Sequence, residues 1–146
     1  MAKVEMGLRI EAPVEKVFGY LEDPATNPEW LPGMVEVRDI VQTEEGVGSH
    51  FKWVYKMAGM TFEGESRTTD FVRNERMVVE SKGGIASTWT WTFTPDDGRT
   101  RLDLVVDYTV PVPVLGRLAE ALVLKQNERE ANLALVNIKT RMEARE

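Results

Sequence analysis

The order of elements written into this chain constrains its fold more than any single motif. Lys3 to Glu11 sets Val4, Met6, Leu8 and Ile10 against Lys3, Glu5, Arg9 and Glu11, the period-two pattern of a half-buried strand. Glu11 to Pro32 then changes period. Pro13 has the fixed φ suited to a first helical turn, and Val14, Val17, Phe18 and Leu21 recur at helical spacing, so residues 13 to 22 should bury one face. Asp23 and Pro24 stop that helix. A second short one is expected from Thr26 to Leu31, with Trp30 inward and Pro32 and Gly33 ending it.

The middle of the chain reads as strands joined by short turns. Met34 to Val41 is the second. Ser49 to Met57 puts Phe51, Trp53, Tyr55 and Met57 on one face, and Met60 to Phe71 aligns Met60, Phe62, Gly64, Ser66 and Thr68 against a charged row expected to face water. Met77 to Ser81 is short. Ser87 to Pro95 alternates Trp89, Trp91 and Phe93 with threonines, and the Asp97-Gly98 hairpin signal precedes Thr100 to Val110, where Leu102, Leu104, Val106, Tyr108 and Val110 alternate. Seven strands with short connections predict an antiparallel meander.

Pro111 and Pro113 are expected to keep the chain extended before one long helix of about 30 residues, interrupted only by Gly116. At 100° per residue, Leu115, Leu118, Leu122, Leu133 and Val136 form one apolar stripe. Leu124, Ala131, Leu135, Ile138 and Met142 form another. Two apolar sides predict a helix gripped by more than one surface. A sheet with one aromatic face must bury it, and this helix is the only cover large enough, so the sheet should curl around it.

Composition excludes several classes of function. At 146 residues, without internal repeat or linker, the chain is expected to form a single domain over 1–146. It has no cysteine, which removes disulfides, thiolate metal sites and cysteine nucleophiles and makes a cytoplasmic location the default. No signal peptide or membrane-length apolar run is present, so a soluble protein without membrane insertion is expected. The net charge of −6, with Lys and Arg scattered among carboxylates, argues against a nucleic-acid partner.

Several sets of residues carry a family resemblance. They are Ala12 to Phe18; Leu21, Glu22 and Asp23 followed by Pro28, Glu29 and Trp30; Gly46, Val47 and Gly48; Trp91, Thr92 and Phe93 before the Asp97-Gly98 turn; and Leu135 to Lys139 late in the helix. With the order of elements, they make the chain resemble the START-like, helix-grip superfamily (SRPBCC), which includes polyketide cyclases and aromatases, coenzyme Q-binding proteins and the birch-pollen allergen type. The resemblance implies an α+β fold. Its parts are a seven-stranded curved antiparallel sheet wrapped around a long C-terminal helix, with two short helices between strands 1 and 2. It also implies a deep, largely apolar cavity between sheet and helix. It leaves function open, because the superfamily includes carriers, cyclases, hydrolases and stress proteins.

The residues themselves support a cavity. Trp53, Tyr55, Phe62, Trp89, Trp91 and Tyr108 supply large flat surfaces, while Gly64, Ser66 and Thr68 on the same face remove bulk and add hydroxyls. Arg129 projects into the stripe of Leu122, Leu133 and Val136, where its charge needs a carboxylate or a ligand anion. The expected ligand-binding set is therefore Trp53, Tyr55, Phe62, Ser66, Trp89, Trp91, Tyr108, Leu122 and Arg129. Gln126 and Asn132 are weaker candidates for the margin. Trp30 reads better as a core plug than as a gate, and the pliable turn Met57 to Met60 is a candidate for the entrance.

The catalytic inventory is thin. His50 is the only histidine and is expected on the exposed row, so it cannot build a histidine metal site or a triad. Glu63 and Glu65 share a face with Arg67, as a solvated strand would, and Gly83-Gly84 lacks a phosphate-loop signature. No catalytic residue, metal or cofactor is expected. The leading reading is a binding or transport protein for a hydrophobic small molecule: a lipid, an isoprenoid or a polyketide. Two alternatives stand beside it: an enzyme of the polyketide cyclase or aromatase type, in which Tyr55, Tyr108 or Arg129 orients a reactive chain or transfers a proton, and an interaction module, homodimeric through the second helix stripe or a strand edge.

Overall fold

The computed structural model describes residues 2–57, 59–83, 86–109 and 112–144, with the side chains of all of these except 2, 57, 109, 112–124, 126 and 127. Seven strands form one antiparallel sheet: β1 (Ala2–Ile10), β2 (Met34–Val41), β3 (His50–Met57), β4 (Met60–Val72), β5 (Arg76–Lys82), β6 (Ala86–Asp96) and β7 (Arg99–Thr109). Their order across the sheet is β1-β7-β6-β5-β4-β3-β2. β2 to β7 form a meander, and β1 pairs with the last strand, so the chain's first strand and β2 lie at opposite edges. Three helices complete the fold: α1 (Val14–Glu22), α2 (Asn27–Trp30) and α3 (Val112–Glu143). This is the helix-grip arrangement.

The turns follow local chemistry. Asp97 and Gly98 both take positive φ, 55° and 81°, which suits the tight hairpin between β6 and β7. Asn74, at φ 64°, turns β4 into β5. The Asp23 carboxylate accepts the Ala25 N–H at 3.0 Å and starts a 3-10 turn over Pro24–Thr26 that leads into α2. The second helical segment is thus split, 3-10 then α, because Pro24 and Pro28 each suit a first turn and neither suits a helix interior.

α1 buries Val14, Val17, Phe18 and Leu21, the face its spacing predicts. Phe18 is fully buried and meets Phe71 and Phe93 edge to face, with centroids 5.2 and 4.9 Å apart. Thr100 is buried as well, and its hydroxyl donates to the Ala12 carbonyl at 2.8 Å, tying the start of β7 to the approach to α1.

Two expectations about α3 need correction. It begins at Val112, before Pro113, because a proline in the first turn lacks only an N–H that has no intrahelical partner there. Its grip is also one-sided among the described residues. Ala131, Ala134, Leu135, Ile138 and Met142 are buried, whereas Leu133 and Val136, on the other predicted stripe, are 42% and 52% exposed. The helix packs on β1 and α2, and Leu133 and Val136, the described residues of the second stripe, stay exposed. Leu115, Leu118, Leu122 and Leu124 have side chains outside the described set.

Candidate functional site

The inward face of the sheet and the segment from α1 to β2 line a partly open cavity of about 130 Å³. Five adjacent strands supply the wall through alternating residues. β3 gives Phe51, Trp53 and Tyr55, and β4 gives Phe62, Ser66 and Thr68; β5 contributes Met77, Val79 and Ser81. β6 adds Ser87, Trp89 and Trp91, and β7 adds Val106 and Tyr108. Period-two alternation puts all of them on one side of the sheet. Leu21, Glu22, Pro24, Asn27, Trp30, Leu31 and Met34 close the end.

The tryptophans are held in place by partners that set their angles. Trp30 meets Trp91 edge to face at 5.5 Å, and Trp89 lies tilted against Trp91 at 6.0 Å. Trp30 is only 4% exposed and its Nε1 donates to the Thr26 hydroxyl at 3.4 Å, so it is a core plug whose inner edge is also cavity wall. Trp53 crosses Gly64, where a Cβ would collide with the indole ring and with the Lys82 carbonyl. That bare backbone lets Trp53 Nε1 donate to Ser66 Oγ at 2.9 Å, and Ser66 Oγ lies 2.6 Å from Ser81 Oγ. Trp89 Nε1 donates to Ser87 Oγ at 3.1 Å.

Charge is confined to the margin. Glu22 is the only ionisable carboxylate or base on the described wall, and Arg73 holds it with two bonds of 3.2 and 3.3 Å while lying over the rings of Phe18 and Phe71. Tyr55 faces the cavity with its ring and gives its hydroxyl to Glu130 of α3. Burial raises its pKa well above the ordinary value. The Glu130 charge and the hydrogen bond to that carboxylate raise it further. Tyr55 therefore stays neutral across physiological pH and acts as a donor. Glu130 also accepts the Gly33 N–H at 3.3 Å, and Asn137 Nδ2 donates to the Trp30 carbonyl at 3.1 Å, so α3 is fastened to the end of the cavity at two levels.

Seven of the residues singled out from sequence come together on this wall: Trp53, Tyr55, Phe62, Ser66, Trp89, Trp91 and Tyr108. Arg129 does not join them. It is exposed, as is Asn132, because α3 turns its Ala131-Leu135-Ile138 face inward and carries the neighbouring positions outside. The side chains of Leu122, Gln126 and Met57, and all of Ala58, lie outside the described residues. His50 is half-buried, with Nδ1 3.0 Å from the Gly48 carbonyl, where an exposed position was expected. Glu63 and Glu65 are exposed. Sequence reading passed over Ser81 and Ser87, which sit at strand ends beside a glycine turn. Their inward parity was visible, but their alignment with Ser66 depends on strand register. Among the described residues no group of three or more histidines and carboxylates is placed to hold a metal ion, and no helix is long and apolar enough to cross a membrane.

Comparison with known proteins agrees with this architecture. A family model described as polyketide cyclase / dehydrase and lipid transport matches residues 1–143. Among solved structures, TTHA0849 from Thermus thermophilus superposes with a TM-score of 0.83 at 23% identity, over 97% of both chains. The Zhui aromatase/cyclase from a Streptomyces species gives 0.81 at 19% identity, over 97% of this chain and 93% of its own. A START superfamily protein from Mycobacterium smegmatis gives 0.80 at 16% identity, over 97% of both. A comparison with curated proteins finds no match. At these identities the solved structures speak for the fold alone.

Proposed function

We propose that this chain, which belongs to the polyketide cyclase / dehydrase and lipid transport family, binds or carries a hydrophobic small molecule in the cavity between sheet and helix, as one domain. The observation that supports this most is the wall itself: indoles packed edge to face or tilted, aliphatic side chains and a few hydroxyls, with one carboxylate among the described residues, at the rim and already paired with Arg73. Such a surface takes up flat, apolar compounds such as isoprenoids, lipids or polyketides by burying them and orients them through few polar contacts. Trp53, Tyr55, Phe62, Ser66, Trp89, Trp91 and Tyr108 are the proposed binding residues. Leu122, whose side chain lies outside the described residues, is kept in the proposed set as a test position only, since its stripe is exposed at Leu133 and Val136. Arg129, exposed on α3, leaves it.

A second reading, a cyclase or aromatase type of enzyme, draws on the family description and on the Tyr55-Glu130 pair at the cavity. The raised pKa of Tyr55 limits it to donating a proton or a hydrogen bond, which is a narrower role than general base. Native mass spectrometry of freshly purified protein, followed by organic extraction, separates the readings. A stoichiometric co-purified lipid, quinone or polyketide supports the carrier. An empty protein that also binds no member of a panel of such compounds overturns it.

A further inference from the structure

Strand register lines up four hydroxyls that are far apart in sequence. Ser66 of β4 pairs with Ser81 of β5, Ser81 pairs with Ser87 of β6, and Ser87 pairs with Tyr108 of β7. All four face the cavity, so they form one polar row running straight across a largely apolar wall. Serine is a poor choice for simple relief of crowding at such positions, since a buried hydroxyl needs partners that alanine does not.

The hydrogen bonds give this row a direction. Ser66 is only 2% exposed and accepts from Trp53 Nε1 at 2.9 Å. Its own proton needs an acceptor, and Ser81 Oγ, at 2.6 Å, is the acceptor within reach among the described residues. The reverse direction would give Ser66 Oγ two donors and strand its proton in the core. The sequence of donors therefore runs from the Trp53 indole to Ser66 to Ser81, and polarisation along such a chain strengthens its last donor. Ser81 is half-buried on the wall, and with its oxygen accepting from Ser66 its own proton is free to turn toward the cavity. Ser87 is arranged in the same way: its oxygen accepts from Trp89 Nε1 at 3.1 Å, which leaves its proton for the cavity.

We infer that Ser81 and Ser87 form a two-donor subsite for a carbonyl oxygen, so the ligand is a flat apolar compound bearing a ketone or quinone carbonyl on the edge that meets the β5-β6 pair. The spacing fits. Directly opposed residues on neighbouring strands hold their Cβ atoms about 4.5–5.5 Å apart. Two hydroxyls each about 2.8 Å from one oxygen, on lone pairs about 120° apart, lie about 4.8 Å from each other. A carbonyl satisfies both donors and brings no proton of its own into the row. Trp53 and Trp89 serve twice, since their rings flank the ligand and their N–H groups orient the hydroxyls that read it.

This inference rests on the cavity reading above, and the test separates the two. Anthraquinone and anthracene share a flat three-ring skeleton and differ in the carbonyls, so each is titrated into the protein and followed by quenching of tryptophan fluorescence. The expected result is about four- to hundredfold tighter binding of the quinone, because two neutral hydrogen bonds contribute roughly two- to tenfold each. In the Ser81→Ala/Ser87→Ala double variant the quinone loses about tenfold and the hydrocarbon changes by less than about twofold. The infrared carbonyl stretch of bound quinone falls in the wild type and recovers in the variant, a signature that a merely structural role does not produce. The wild-type infrared shift decides the matter even where the variant folds poorly. Equal affinities with an unshifted carbonyl overturn the subsite and leave the cavity standing. Binding of neither compound overturns the cavity reading and the subsite with it.

Discussion

Gly64 shows how one missing side chain can set up a site. A Cβ at this position would meet both the Trp53 ring and the Lys82 carbonyl, so only glycine lets the indole lie across β4 and reach Ser66. Gly64→Ala forces either the ring or the strand to move. The expected loss is about 1–3 kcal/mol, the usual range for overpacking, and Trp53 is expected to lose its bond to Ser66. Urea denaturation and the tryptophan emission spectrum measure both. An unchanged midpoint with unchanged emission would show that the wall is loose enough to absorb a methyl group, contrary to its burial. From sequence, Gly64 could be assigned to the inward row by parity and recognised as a removal of bulk. What it makes room for could not be read, because Trp53 and Gly64 are brought opposite each other by the pairing of β3 with β4.

At the level of elements, α3 is fastened at two places by chemistry of different kinds. Its C-terminal turn is clasped to the first strand: Glu143 accepts the Glu11 N–H at 2.8 Å and the Lys139 ammonium at 2.5 Å, while Lys139 also donates to the Arg9 carbonyl at 2.8 Å. The Lys139 hydrogen bond, then the one from the Glu11 N–H, hold the Glu143 carboxyl below its ordinary value of 4.5. A carboxyl with a depressed folded pKa stabilises the fold above its unfolded pKa, and that contribution fades as pH falls through the folded value. Glu143→Gln should therefore melt below the wild type near neutral pH, with the gap closing on acidification below 4.5. Melting temperatures at several pH values test this, and a gap independent of pH would mean that the carboxylate charge contributes nothing. The second fastening is the Tyr55-Glu130 bond. Tyr55→Phe removes it and should lower stability by about 0.5–1.5 kcal/mol in chemical denaturation, with little change in the fold. An unchanged unfolding midpoint would assign the fastening to the Gly33 N–H alone. Neither clasp was legible in the sequence, since each joins residues more than 70 positions apart. The elements themselves were, because strand alternation and the helical spacing of α1 are local patterns. The outward turn of Arg129 was not, as a stripe on a helical wheel says that a face is apolar and cannot say whether a partner exists to cover it.

For the whole molecule, the consequential fact is that one wall serves both as core and as site. Trp30 plugs the end of the fold and packs edge to face on Trp91, yet both tryptophans border the cavity. The sheet and α3 keep the helix-grip arrangement; among the described residues α3 buries its small and aliphatic face, with β1 and α2 as its neighbours, and the indoles of the β3 to β7 wall border the cavity. An occupant of that space adds contacts that the empty protein lacks, so stability and binding must be linked. A ligand held at about a hundred times its Kd contributes about 2.7 kcal/mol, which for a chain of this size corresponds to a rise in Tm of roughly 5–10 °C. Trp30→Ala acts in the opposite sense. Removing a tryptophan from a packed site costs about 3–5 kcal/mol, and it also opens the cavity at that end. The variant should therefore melt well below the wild type when empty and recover a larger increment of Tm with an occupant bulky enough to fill the space the indole leaves. Thermal melts of both proteins with the extracted ligand, or with anthraquinone in its place, measure the two increments. A ligand that binds without raising Tm in either protein would be sitting on the outer surface, and the coupling of core to site would not hold.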